Sequence, residues 1–191
     1  MEYLITFTDD YSRYGHIYLI KHKSDAIEKF KEYKLEVEKQ LGRFIKSLNN
    51  DRGGEHEAMD NFCKENGIRH LFTMPYKPQQ NGITKRRNRT LMEMTRSMIA
   101  YADLLVHFWR KALSTATYIL NRIKTKSKSF TLYEYSTGLK PHCDHFKVWG
   151  CKAHVLIPKP LRDKLQSKTW ECRFIGYVEN GSGYRFYHLE K

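Results

Sequence analysis

Long hydrophobic runs are missing from this sequence, and no stretch approaches the roughly 20 apolar residues that span a bilayer. A membrane-spanning helix is therefore not expected. Cysteine is sparse and unpaired in pattern. Cys63, Cys143, Cys151 and Cys172 form no C-x-x-C motif, which argues against a zinc ribbon or a redox pair. Cys63, Cys151 and Cys172 fall in apolar segments, so buried, reduced thiols are expected. His142, Cys143 and His145 cluster, but no second pair matches them, and they read as linker residues. Met1 is followed by Glu2-Tyr3-Leu4-Ile5, without the basic region and cleavage site of a secretory signal. The expected setting is intracellular, and nuclear if the protein functions. No internal repeat is visible. Acid is in deficit: 21 Asp and Glu stand against 34 Lys and Arg, a net charge of +13. That balance predicts attraction to polyanions.

What is present is a globular composition. Hydrophobic residues make up 40% and aromatic residues 14%, enough for a substantial core in 191 residues. Tyr3–Thr8 and Gly15–Lys21 alternate as strands, joined by the turn residues Asp9-Asp10-Tyr11-Ser12-Arg13. Ser24 is the expected cap of a helix reaching Leu41, with Ile27, Phe30, Tyr33, Val37 and Leu41 inward and Gly42 as its exit. A strand at 43–48, a helix at 57–66 and a strand at 68–72 follow. A long helix starts near Thr84, with Leu91, Met94, Met98 and Ile99 inward. Asp103 is the expected cap of a further helix at 104–123, packing through Trp109, Ala112, Leu113, Ala116, Ile119 and Ile123. From Phe146 the period changes to two, and strands are expected at 148–157, 171–178 and 184–189. Phe174, Tyr177, Tyr184, Phe186 and Tyr187 read as core aromatics of that tail. The predicted class is α/β, with a mixed sheet and flanking helices followed by a small β module. The expected domains are 1–123, a linker at 124–145 with a short helix near 132–135, and 146–191.

The most unusual stretch is 75–89. A turn-rich loop bearing Lys77, Gln80 and Asn81 leads into a helix whose first turns carry Lys85, Arg86, Arg87 and Arg89, with no acid among them. Guanidinium forks and ammonium groups on one surface suit phosphate oxygens. The bland alternative is a solvated charged face, which charge runs usually are. The tail adds Lys152, Lys159, Arg162, Lys164, Lys168, Arg173 and Arg185.

Five stretches, in order, resemble the integrase core of copia-type long-terminal-repeat retrotransposons. They are Thr6-Phe7-Thr8-Asp9-Asp10-Tyr11-Ser12-Arg13, Asp51-Arg52-Gly53-Gly54-Glu55, Pro75-Tyr76-Lys77-Pro78-Gln79-Gln80-Asn81-Gly82, Arg87-Asn88-Arg89-Thr90-Leu91 and Trp149-Gly150-Cys151. The resemblance implies a ribonuclease-H-like core over 1–123 and an SH3-like barrel for the tail. It implies DNA strand transfer by two aspartates and a glutamate holding two divalent cations, Mg2+ or Mn2+. DNA and other integrase subunits are the implied partners.

This sequence departs from that pattern at the acids. Asp51 matches the second acid, and a turn aspartate is the plain alternative. Asp9 and Asp10 match a turn of the family rather than its first acid. The strand that bears the first acid in the family would precede the Thr6–Arg13 match and lie inside the sheet. Its absence here is expected to leave neighbouring strands unpaired on that side. The third acid matches Lys85. Opposite unit charges 4 Å apart interact by about 4 kcal/mol at an effective dielectric near 20, so an ammonium there turns attraction for a cation into repulsion. A protonated lysine offers only donors. Glu93 lies eight residues on, about 12 Å along the helix, too far to substitute.

The expected function is thus nucleic-acid binding by an integrase core whose strand transfer is lost. Its metal-binding residue would be a weak Asp51, with no cofactor held productively. Its nucleic-acid-binding residues would be Lys77, Gln80, Asn81, Lys85, Arg86, Arg87, Asn88 and Arg89. Two alternatives stay open: an integrase or nuclease completed in trans, and a non-catalytic module within an integrase assembly.

Overall fold

The computed structural model describes residues 3–50, 56–72, 82–124, 129–178 and 181–188. They fall into two compact units. One comprises residues 1–89 with 124–140; the other comprises 90–123 with 141–191.

The first unit opens with an antiparallel hairpin of β1, Tyr3–Thr8, and β2, Gly15–Ile20. Tyr3 faces Ile20 and Thr8 faces Gly15 across the ladder. The turn is held by Asp9, as its turn chemistry predicts: Oδ2 accepts from the Ser12 amide at 2.7 Å and from the Ser12 hydroxyl at 2.6 Å. Helix α1, Ala26–Leu41, follows a single 3-10 turn at Lys23–Asp25. Ser24 is therefore not its cap. Asp25 stands at the N-cap position but makes no side-chain cap bond to α1. Its carboxylate accepts from the His22 amide at 3.0 Å and so closes the preceding 3-10 turn. The helix ends at Gly42, as expected.

Strand β3 is shorter than its pattern suggests, Ser47–Asn50 instead of 43–48. The preceding residues are held by a side chain: Glu38 accepts from the Ile45 amide at 2.8 Å. Helix α2, His56–Glu65, then returns the chain to β4, Arg69–Phe72, which runs parallel to β3. Parallel neighbours need such a crossover.

One aromatic core unites these elements. Phe7 stacks on Tyr33 at 4.8 Å and meets Phe30 at 5.6 Å, and Phe30 meets Phe62 edge-on at 6.0 Å. Met59, Cys63 and Ile68 complete it, with Ile5, Tyr18 and Leu48 packed against it. Strands β1 and β3 thus contribute to one core. Yet among the described residues β1 pairs only with β2, and β3 only with β4.

Helix α3, Gly82–Ala102, begins in the first unit and continues in the second. Asp103 adopts a left-handed conformation, φ 51°, just beyond it. It is not the cap of a helix at 104. A 3-10 turn at Val106–Phe108 intervenes before α4, Trp109–Arg122. The sequence grouped α4 with the early strands; here it packs on β6 of the tail. Its buried face carries Thr115 and Thr117, whose hydroxyls donate to the carbonyls of Lys111 and Leu113 four residues back. Those hydroxyls are thereby satisfied without water.

Helix α5, Leu132–Thr137, belongs to the first unit. It is capped by Thr131, whose side chain accepts from the Glu134 amide while Glu134 accepts from the Thr131 amide.

The second unit holds β5, Lys152–Leu156, β6, Thr169–Tyr177, and β7, Tyr184–His188, as an antiparallel sheet in the order β5-β6-β7. Residues 148–151 are not strand. Trp149 is buried there, its indole N–H donating to the Ile175 carbonyl at 3.0 Å. Gly150 lies so close to Ala102 that a Cβ would overlap it. Phe108, Ala112 and Ile175 close this core, with Tyr187 packed on it. Of the tail aromatics, Phe174 is fully buried, whereas Tyr184 and Phe186 are partly exposed.

Candidate nucleic-acid interface

The first turns of α3 carry the cationic run. Lys85, Arg86 and Arg89 are exposed, and Lys85 and Arg89 lie four residues apart on one face. The Arg86 Nε donates to the Gly82 carbonyl at 3.2 Å. No acid stands in the first turn of this helix. Cations at a helix N-terminus oppose the helix dipole, and that end favours an anion.

Arg87 is different. The sequence groups it with its neighbours as a phosphate contact, but it is 8% exposed. Its Nη1 donates to the carbonyl of Arg13 in the hairpin turn at 3.1 Å. Burial pushes its pKa down to about 10, with Tyr14 opposing, so the guanidinium stays charged at neutral pH. Asn88 is half-buried rather than presented to solvent, and its Oδ1 has no hydrogen-bond partner; the same holds for the Thr8 hydroxyl. His16 lies in the same unit. Burial lowers its pKa, Glu36 opposes that, and Arg87 adds to it.

A second network carries no signal in the sequence. The imidazole of His70 is almost wholly buried. It is 3.3 Å from Asp60 Oδ1 through Nδ1 and 3.2 Å from Asn50 Oδ1 through Nε2. It therefore ties α2 and the end of β3 to β4. Only the pairing of β4 beside β3 brings these three residues together, and local pattern does not reveal it. Asp51, Lys77, Gln80 and Asn81 lie outside the described residues.

A family model described as the retroviral polymerase SH3-like domain matches residues 151–191. A retrovirus-related Pol polyprotein from transposon TNT 1-94 of Nicotiana tabacum is 39% identical over 97% of this chain, which spans 14% of that protein's length. One chain of a simian T-cell lymphotropic virus intasome, solved with PP2A regulatory subunit B56 gamma, superposes with a TM-score of 0.58 at 18% identity. The match covers 98% of this chain and 70% of that one. The HTLV-2 integrase catalytic core domain, solved with magnesium, gives 0.53 at 18% identity, over 70% of this chain and 83% of that one. The chain is homologous to copia-type retrovirus-related Pol polyproteins. The matched segment has the fold of an integrase catalytic core, ribonuclease-H-like, followed by an SH3-like module. Its described strands form an open three-stranded sheet rather than a closed barrel.

In this integrase-type core the described donor groups do not suit paired divalent cations. Asp9 is committed to Ser12, and Asp10 pairs with Arg13. Lys85 offers an ammonium, which has no lone pair for a metal. Among the described residues no three His, Cys, Asp or Glu side chains converge.

Proposed function

We propose that this chain is a nucleic-acid-binding integrase-core segment that does not by itself transfer DNA strands. The observation that carries the reading is the first turns of α3. Lys85, Arg86 and Arg89 stand exposed there, and Lys85 occupies the position where the family resemblance calls for a metal-binding glutamate. Removing that carboxylate subtracts an oxygen ligand from the metal site. Adding an ammonium strengthens the field that attracts phosphate. One substitution therefore moves binding and catalysis in opposite directions.

The contacts are Lys85, Arg86 and Arg89, together with Lys77, Gln80 and Asn81 of the preceding loop. They engage the sugar-phosphate backbone and so bind without strong sequence preference. Asp51 is at most a weak, solvated site for Mg2+ or Mn2+. Affinity for random-sequence duplex DNA should fall steeply with salt, with a slope of about 0.9 per phosphate neutralised. Arg86→Ala and Arg89→Ala should each lower that slope by about one. A salt-independent affinity, or slopes unchanged in both variants, removes this reading. A strand-transfer assay with Mg2+ or Mn2+ tests the other half: robust joining by this chain alone overturns the loss of catalysis.

A further inference from the structure

We propose that Arg87 is a positioning residue: with Gly15 it forms an interlock that fixes the start of α3 on the hairpin turn and so aims the exposed cations around it. The inference rests on the nucleic-acid reading above and assigns a different task to one member of the basic run.

The geometry is specific. Gly15 begins β2 and is buried, opposite Thr8 in the ladder. A Cβ built on Gly15 would lie 2.7 Å from both Cζ and Nη2 of the Arg87 guanidinium, and closer still to Nε. Real Cβ atoms do not approach so closely, so the guanidinium fills the space that any other residue at position 15 would occupy. Gly15 is not needed for a left-handed backbone here; its missing Cβ permits the close approach, and a side chain at 15 would displace the guanidinium. The same guanidinium reaches over the turn to the Arg13 carbonyl at 3.1 Å.

The surface it grips is itself rigid. Ser12 is 1% exposed, and its amide and hydroxyl both donate to Asp9. Ser12 Oγ also accepts from the Tyr14 amide at 3.1 Å. Arg13 is held in a left-handed conformation, φ 64°, with its side chain on Asp10. Arg13 therefore presents its carbonyl from a fixed turn. A planar guanidinium on a long stem can fill the glycine space and donate at once. A lysine carries charge but no fork, and a methionine carries bulk without donors.

The consequence is a division of labour within four adjacent positions. Arg86 and Arg89 project to solvent, and Arg87 projects inward. Tilting the helix start moves every exposed cation together. Loss of Arg87 therefore weakens binding without removing a phosphate contact of its own.

The test uses the full chain, random-sequence duplex DNA as the probe, and four variants: Gly15→Ala, Arg87→Lys, Arg87→Met and Gly15→Ala with Arg87→Met. The interlock predicts that Gly15→Ala, which removes no charge, weakens binding about as much as Arg87→Met, by roughly five- to tenfold. It predicts that Arg87→Lys fails to restore binding. It predicts that the double variant is no worse than either single one, because both break the same contact. A direct phosphate contact by Arg87 gives the opposite set: Gly15→Ala binds normally, Arg87→Lys restores affinity, and Arg87→Met lowers the salt slope by about one. That set overturns the proposal. The same variants are compared in thermal unfolding, where additive effects of Gly15→Ala and Arg87→Met also overturn it. If the native chain binds no DNA, the functional reading fails, and the unfolding comparison still decides whether the interlock exists.

Discussion

The two units solve the same problem with different completeness. In the second, β6 is flanked on both sides, by β5 and β7, and lies under α4. Its backbone groups are used in two ladders, and Phe174 at its centre is fully buried. In the first, two ladders of two strands share one aromatic core but no backbone pairing among the described residues. Strands β1 and β2 contain no charged residue, no proline and no bulge, the devices that usually guard an exposed edge. Among the described residues, side-chain packing is therefore what joins the two ladders of the first unit. Backbone bonding adds to packing in the second.

The largest expected effect follows from that contrast. Phe30 in α1 and Phe174 in β6 are each 1% exposed. Truncating a buried phenylalanine costs about 3–5 kcal/mol. Phe30→Ala removes the ring that links Phe7 to Phe62 in the core the two ladders share, so the first unit should unfold while β5–β7 persist. Phe174→Ala should weaken the second unit but leave its ladders formed. Hydrogen exchange by mass spectrometry on both variants separates the outcomes. Equal, global unfolding in both would show that the units are one cooperative body. The next effect needs no mutation. Amides of β6 should exchange more slowly than those of β1 and β3, because a strand paired on both sides opens only when its sheet does. Uniform protection across the three would remove the contrast.

How much of this could be read from the sequence depends on the range of the forces involved. The hairpin, α1, α2 and the tail strands were legible because alternation and helical periodicity are local. So was the role of Asp9, since an aspartate accepting from the amide three residues on is short-range chemistry. The basic run was legible as charge, but its directions were not. Arg86, Arg87 and Arg89 look alike in the sequence. Gly15, 72 positions away, and the Arg13 carbonyl, 74 away, distinguish the one that points inward. Ser24 and Asp103 misled for a related reason: each precedes a helix and can cap one, but Ser24 lies within a 3-10 turn and another such turn separates Asp103 from α4. The partnership of α4 with β6 was hidden because an amphipathic stripe says that a helix packs and not on what. Lys85 reads as a departure only through the family resemblance of the motif around it.

A pH titration sharpens the comparison from another side. Burial holds the His16 pKa below its ordinary value of 6.5 in the folded first unit. The unfolded chain then binds the extra proton more readily than the folded one. Stability is complete above about pH 6.5 and falls as the pH drops from there through the lower folded value. The charged and titratable groups named around it, Glu36 and Arg87, act in opposite directions, and Tyr14 and Tyr33 lie edge-on to its ring. His16→Gln should flatten the loss of stability between neutral and mildly acid pH in the first unit. It should leave the second unit's profile unchanged. Parallel shifts in both units would show that the titration is not local to this site.

The smallest difference expected is between two ion pairs that look equivalent on paper. Lys34–Glu38 in α1 spans 2.9 Å, and Lys152–Glu171 between β5 and β6 spans 3.0 Å. The side chains of the first pair are 20% and 13% exposed, those of the second 62% and 47%. Exposed pairs gain little, since water and salt screen them and both side chains lose freedom. Glu38 has a second task, because its other oxygen accepts from the Ile45 amide just ahead of β3. Burial alone would raise its pKa, but Lys34 and the Ile45 amide outweigh that and hold it below the ordinary carboxylate value of 4.5. Its contribution is therefore present above about pH 4.5 and is lost as the pH falls further. Glu38→Ala leaves the Ile45 amide without its acceptor, at a cost of about 1–3 kcal/mol if that amide stays out of water. It should also raise exchange at the start of β3, a four-residue strand that among the described residues is paired on one side only. Glu171→Ala should change nothing measurable, because β5 and β6 remain joined by their ladder. If the two alanine variants lose equal stability in urea at neutral pH, backbone pairing in the second unit gives no protection that the first unit lacks.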